Sequence, residues 1–210
     1  MKLYDFPGPP SPRRVRIFLA EKGVELETIS INIREGAQFA KDFKSINPHC
    51  TIPVLELDDG SHISSIDAIN RYLEEKFPEP PLFGRTIEER AHINDWCHYI
   101  NVNGFMAVAE ALRNSAPRLA GRALTGPRNV EQIPELAERG RQRVLYFFED
   151  LDNQLNGQDF VVGTSYSVAD IGAMVVVDFA TGMAKVEMPD GLDNLKRWHA
   201  AVSARPSAGA

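Results

Sequence analysis

The chain opens on a short apolar run, Lys2-Leu3-Tyr4-Asp5-Phe6, which reads as a strand and is stopped by the loop Pro7-Gly8-Pro9-Pro10. A helix comes next, with Ser11 at its N-cap and Pro12 at the first helical position. Val15, Phe18 and Leu19 recur at i, i+3 and i+4, and Gly23 is the stop. Residues 26–33 alternate, with Ile29, Ile31 and Ile33 on one side, which predicts a second strand. Strand, helix, strand in that order predicts a parallel pair with a crossover helix. Residues 37–46 read as a second helix that ends before Pro48. The run Val54 to Leu57, the turn Asp58-Asp59-Gly60 and His62-Ile63 then read as an antiparallel hairpin. A third helix from about Ser65 puts Ile66, Ile69, Leu73 and Phe77 on one face and leaves Glu74, Glu75 and Lys76 in solvent.

Pro78-Glu79-Pro80-Pro81-Leu82-Phe83-Gly84 breaks every regular pattern and reads as a semi-rigid linker. Beyond it the strand signal vanishes. Helical periodicity covers roughly 87–115, 135–155, 168–181 and 192–204, and an irregular insert covers 117–134. The segment 168–180 is apolar nearly all round, which predicts a buried central helix. The expected architecture is therefore an α/β domain over 1–77, a linker over 78–84 and an all-helical domain over 85–210.

Composition narrows the partners. With 23 Lys and Arg against 29 Asp and Glu the net charge is −6, so the basic footprint of a nucleic-acid binder is missing. The charge is evenly shared: residues 1–80 hold 10 basic and 13 acidic side chains, and residues 81–210 hold 13 and 16. No apolar run approaches the roughly 18 residues of a membrane span. Two cysteines, Cys50 and Cys97, are too few for a disulfide framework, and the first residues do not read as a signal peptide, so a reducing, cytoplasmic setting is expected. The five histidines, 49, 62, 92, 98 and 199, show no metal-ligand spacing, and no metal is expected.

Three places carry candidate chemistry. Pro53 stands at the entrance to a strand. A cis Ile52-Pro53 bond there would turn the backbone N–H and C=O of Ile52 outward, to pair with an extended peptide; a trans proline on an edge strand is the other reading. Ser64-Ser65 offers two hydroxyls and free N–H groups at a helix start, fit for a carboxylate or simply for a cap. Ser11 offers the same at the first helix, where a hydroxyl beside N–H groups stabilises a thiolate. Arg13, Arg14 and Arg16 form a small basic cluster that is either an anion attractor or a solvated helix face. Trp96, Tyr99, Asn103 and Met106 recur at spacings of 3, 4 and 3 and define one stripe, read either as a pocket wall or as core or dimer interface.

Taken in order, Ser11-Pro12-Arg13-Arg14-Val15-Arg16-Ile17, Asn47-Pro48-His49-Cys50-Thr51-Ile52-Pro53-Val54-Leu55 and the stretch from Ser64 to Leu73 resemble the thioredoxin-like N-terminal domain of cytosolic glutathione S-transferases, of a serine-type, bacterial-like kind. In the helical half, the stretch from Val162 to Ile171 looks like that family's capping box, with Ser167 and Asp170 three apart. Leu195-Lys196-Arg197-Trp198 and Arg205-Pro206-Ser207 resemble its last helix.

The resemblance implies a homodimer that uses glutathione as co-substrate. It implies that Ile52 pairs with the cysteinyl part, that Pro53 is cis, and that Ser65 with Ser64 takes the γ-glutamyl end. The Cys50 region approaches the glycyl end, and Ser11 hydrogen-bonds the thiolate. The sulfur then attacks a hydrophobic electrophile in a pocket between the two halves, to which Tyr99, Asn103 and Met106 are assigned. Tyr4 is the substitute for Ser11, since tyrosyl hydroxyls serve other classes. The chain departs from the family where Ser64 replaces an acid or Gln and where Pro9 and Pro10 precede Ser11. Those departures keep two alternatives in view: a non-catalytic binding or regulatory member of the fold, or a glutathione-dependent isomerase, dehalogenase or peroxidase.

Overall fold

A computed structural model describes every residue, Met1–Ala210. The chain divides into two compact units: Met1–Pro80 with Leu124–Arg128 and Ala210, and Pro81–Ala123 with Asn129–Gly209. The tip of the insert, 124–128, thus folds with the first unit, whereas the expectation placed all of 85–210 in one domain. Leu82 and Phe83 of the expected linker are 3% and 7% exposed and fold with the second unit, where the Leu82 carbonyl accepts from Val168 N at 2.9 Å. Their apolar side chains draw the segment into a core, so it is no free spacer.

The first unit is built on β1 (Lys2–Asp5), α1 (Pro10–Lys22), β2 (Glu27–Ser30), α2 (Lys41–Ile46), β3 (Val54–Glu56), β4 (His62–Ile63) and α3 (Ile66–Lys76), with a 3-10 turn at Ala37–Phe39. The sheet order is β2-β1-β3-β4. β1 runs parallel to β2 and antiparallel to β3, and β3 is antiparallel to β4, as the strand and turn signals require. The second helix is shorter than its periodicity suggested because Ala40, at ψ 148, is extended and splits 37–46 in two.

Alternation gives the sheet two apolar faces. Tyr4 and Val54 on one face join Phe43 of α2, with Ile29, Ile31 and Ile33 packed against them. Leu3 and Leu55, on the other face, are buried, as are Val15 and Phe18 of α1 and Ile69 and Leu73 of α3. α1 and α3 pack together. At their far ends the fully buried Lys22 Nζ meets Glu74 at 2.6 Å and the Pro80 carbonyl at 2.5 Å. Glu74 was expected in solvent, but a buried lysine needs a counter-charge and draws it inward.

The second unit is helical: α4 (Ile87–Tyr99), α5 (Met106–Arg113), α6 (Pro134–Gln154), α7 (Val168–Phe179) and α8 (Asp193–Ser203). A π-helical turn, Ile100–Phe105, joins α4 to α5 without a break. Ten consecutive residues of α7, from Val168 to Val177, are buried, as its all-round apolar pattern predicts. The α7 capping box forms: Ser167 Oγ accepts from Ala169 N, and Asp170 Oδ2 accepts from Ser167 N at 3.0 Å. No helix is long and apolar enough to cross a membrane.

Candidate active site

Strand register gathers the candidate residues. Asp5 pairs with Ser30 at the C-terminal ends of β1 and β2, Tyr4 faces Val54 at the start of β3, and Leu55 faces Ile63 at the end of β4. One edge of the sheet therefore carries the loop from Phe6 to Ser11, the Ile52-Pro53 bend, Ser64-Ser65, and the segment from Ile31 to Arg34. Ligands of open sheets collect at such carboxyl ends.

Ser11 is the second residue of α1 and does not cap it. The helix starts a residue early, at Pro10, with Pro9 at the N-cap position and no side-chain cap bond. The reason is proline chemistry: Pro10 and Pro12 lack N–H groups that a first turn leaves unpaired anyway, and their fixed φ suits it. The half-buried Ser11 hydroxyl is thereby spared the capping role.

The Ile52-Pro53 bond is cis. The β1–β3 ladder ends at Val54, so the N–H and C=O of Ile52 lie outside it. Asn47, 2% exposed, braces this bend: its Nδ2 donates to the Thr51 carbonyl at 2.8 Å and to Thr51 Oγ1 at 3.0 Å, and its Oδ1 accepts from His49 N at 3.0 Å. In the sequence Asn47 is no more than one member of a motif. Its role is visible once four residues of a loop are seen to hang on one amide. Cys50 sits in the left-handed region at φ 54 with its thiol buried beside the Pro48 carbonyl, 3.7 Å away.

Ser65 takes the N-cap position of α3 in extended conformation, and neither it nor Ser64 makes a cap bond; both are exposed. Tyr4, the substitute considered for Ser11, is committed elsewhere. Its hydroxyl donates to Glu56 Oε2 at 2.6 Å. Glu56 pairs with Lys2, so this bond points away from the edge that carries Ser11. The hydrogen bond to Glu56, together with burial, pushes the Tyr4 hydroxyl up to about 12. The same bond holds the Glu56 carboxyl below its ordinary range.

The Arg13-Arg14-Arg16 cluster is not free. Arg16 Nη1 grips both oxygens of the buried Asp5 at 2.8 and 3.0 Å, and Arg13 and Arg14 have partners of their own. A cation that sequence reasoning misses stands at the same edge: Arg34, with its guanidinium 5.8 Å from the Phe6 ring centroid. Nothing in the alternation of residues 26–33 signals this contact, which spans 28 positions and exists only because β1 and β2 are neighbours.

In the helical unit a cleft of about 480 Å³ lies between α4 and α6, walled by Asp95, Trp96, His98 and Tyr99 on one side and Asp150, Asn153 and Gln154 on the other. Trp96 and Tyr99 meet edge to face at 5.2 Å, and Tyr99 donates to Asp150. Burial, then that bond, pushes the Tyr99 hydroxyl up to about 12. Asn103 and Met106 do not line this cleft, although the spacing put them on one stripe with Tyr99. The π turn is the cause: its wider winding spends extra residues per turn and rotates the residues after Tyr99 away from the cleft.

Comparison with known proteins agrees with this geometry. Residues 10–76 match the glutathione S-transferase N-terminal domain family model, and residues 128–208 match the glutathione S-transferase C-terminal domain model. The chain belongs to the glutathione S-transferase family, and so to a family of transferase enzymes. It is 31% identical over 210 residues to glutathione S-transferase 2 of Saccharomyces cerevisiae, covering 99% of this chain and 87% of that one. The crystal structure of a glutathione S-transferase domain-containing protein from Marinobacter aquaeolei superposes with a TM-score of 0.91 at 35% identity over 99% of both chains. That of Gtt2 from Saccharomyces cerevisiae gives 0.90 at 30% identity, covering 100% of this chain and 99% of the other.

Proposed function

We propose that the chain conjugates glutathione to a hydrophobic electrophile. The observation that carries this reading is the shared sheet edge, where an unladdered Ile52 backbone, the start of α3 at Ser65 and the uncapped Ser11 hydroxyl stand on neighbouring elements. Glutathione presents what these groups recognise: a peptide backbone for Ile52, a carboxylate for Ser65 and the helix N-terminus, and a thiol for Ser11. Ser11 and the N–H groups of the first turn of α1 stabilise the thiolate by hydrogen bonding; Ser11 does not itself attack. The sulfur forms a bond to the electrophilic carbon, the leaving group departs with its electron pair, and the thiol proton goes to solvent. Tyr99 and the cleft it lines are the proposed place for the electrophile's ring, which Trp96 supports with an aromatic edge.

The same reading includes a homodimer in a reducing cytoplasmic setting with a role in detoxification. Val102, Met106 and Tyr146 stand exposed on the helical unit, apolar surface that a second copy would cover. Both cysteines are free.

Retention on immobilised glutathione and conjugation to a chromogenic aryl halide test the function, with Ser11→Ala beside the wild type. Ser11→Ala is expected to lower kcat/KM by one to three orders of magnitude, with a smaller change in glutathione affinity, about the loss of one oriented donor. A wild-type chain that ignores millimolar glutathione sinks the reading. Equal activity in Ser11→Ala sinks only the role given to Ser11.

A further inference from the structure

Of the four arginines that sequence and structure bring near the β1 end of the site, three are spoken for: Arg16 by Asp5, and Arg13 and Arg14 by partners of their own. Arg34 is different. Its backbone N–H donates to Asn32 Oδ1 at 3.1 Å, which fixes the turn that leaves β2. Its exposed head lies over the Phe6 ring, and a guanidinium nitrogen stands 3.9 Å from where a Gly8 side chain would begin. A ring face steadies a guanidinium without taking its in-plane N–H donors, and only a glycine at position 8 leaves room for it. The result is a steadied cation with no carboxylate partner, three residues from Ser11 at its closest approach to the loop.

We infer that Arg34 is a binding residue for the glycyl carboxylate of glutathione. This rests on the transferase reading above and extends it. The strand order sets the direction of the ligand: Ser65 comes after β4, Ile52 before β3, the Ser11 loop after β1, and Arg34 after β2. A tripeptide with its γ-glutamyl end at Ser65 and its cysteinyl part on Ile52 therefore sends its glycyl end toward β2. Three strand spacings are about 14 Å, and an extended tripeptide spans about 11 Å, so the arm of an arginine closes the gap. The buried Cys50 thiol offers that carboxylate nothing, and the net charge of −6 repels it. A fork of parallel N–H donors is the group that offsets both.

The test is calorimetric titration of the full chain with glutathione and with its glycyl ethyl ester, for wild type, Arg34→Gln and Arg34→Lys, together with steady-state kinetics. Arg34→Gln is expected to bind glutathione about tenfold more weakly and to raise its KM likewise, with kcat within twofold and an unchanged melting temperature. The ester is expected to bind wild type about tenfold more weakly than glutathione does, and to bind Arg34→Gln no worse than glutathione does. Non-additivity of that kind identifies the carboxylate as the partner. Arg34→Lys recovers part of the loss. Losses that add, or glutathione binding that Arg34→Gln leaves intact, overturn this inference alone. A wild type that binds neither ligand overturns the transferase reading and this inference with it.

Discussion

Asp170 is the most demanding single residue in the chain. It is fully buried, yet it accepts from Val161 N at 2.8 Å, from Trp198 Nε1 at 3.0 Å, and from both the N–H and the hydroxyl of Ser167 at 3.0 Å. Burial pushes its carboxyl up to about 6 even though these four donors pull it back. A folded value above the unfolded one means that the folded state holds the proton more tightly. This contribution is fully present below about 3.8 and is lost as pH rises through about 6. Asp170→Asn keeps the shape but turns an N–H toward donors, and is expected to destabilise the chain by about 3 kcal/mol. Thermal melts at pH 5.0 and 7.5 should show the wild type's advantage over Asp170→Asn shrinking at the higher pH; an advantage that grows with pH refutes the assignment. The serine and aspartate of this box were legible in the sequence because a capping box is local, three residues long. The indole that completes the site, 28 positions on, was not. Ser11 shows the converse: its neighbours Pro10 and Pro12 shift the helix start by one residue, which hydrophobic spacing does not register.

Helix pairing is where glycine changes the usual arithmetic. α5 and α6 make the closest helix pair of the second unit, and at Gly140 a Cβ would collide with the Ala111 backbone N–H and stand 2.9 Å from the Ala107 carbonyl. Gly to Ala in an exposed helix interior stabilises by about 1 kcal/mol. At this crossing the sign reverses, because the obstruction is backbone and cannot swing aside. Gly140→Ala is expected to cost about 2 kcal/mol or more, read as a lower urea midpoint with an unchanged slope. Stabilisation by the same substitution would mean that α5 and α6 stand further apart than described. The helices themselves were legible at their full length because apolar residues repeat every three or four positions over 10 to 20 residues. The π turn inside the first long helix was not. It is made by tertiary fit: Gly104 stands 3.0 Å short of Val176 at the place of its missing Cβ, and Arg143 Nη2 donates to the Val102 carbonyl at 2.7 Å. That turn alone moves Asn103 and Met106 off the face that carries Tyr99.

For the molecule as a whole, charge sets the terms on which an anion arrives. With a net charge of −6 the long-range field opposes glutathione, whose two carboxylates outnumber its amine, while Arg34 attracts it at short range. Salt acts on the two in opposite directions. Screening lengths fall from about 10 Å at 0.1 M to about 3 Å at 1 M, so added salt first lifts the diffuse repulsion and then erodes the exposed guanidinium contact. In Arg34→Gln only the repulsion remains, and its affinity for glutathione is expected to rise as sodium chloride goes from 20 to 500 mM. In wild type the rise is offset by a weakened carboxylate contact, so affinity changes little or falls. The ratio of the two dissociation constants should therefore narrow from about tenfold to about threefold over that range, measured by calorimetry at constant pH. A ratio that stays constant with salt would mean that Arg34 acts through the shape of the Phe6–Gly8 loop and not through its charge.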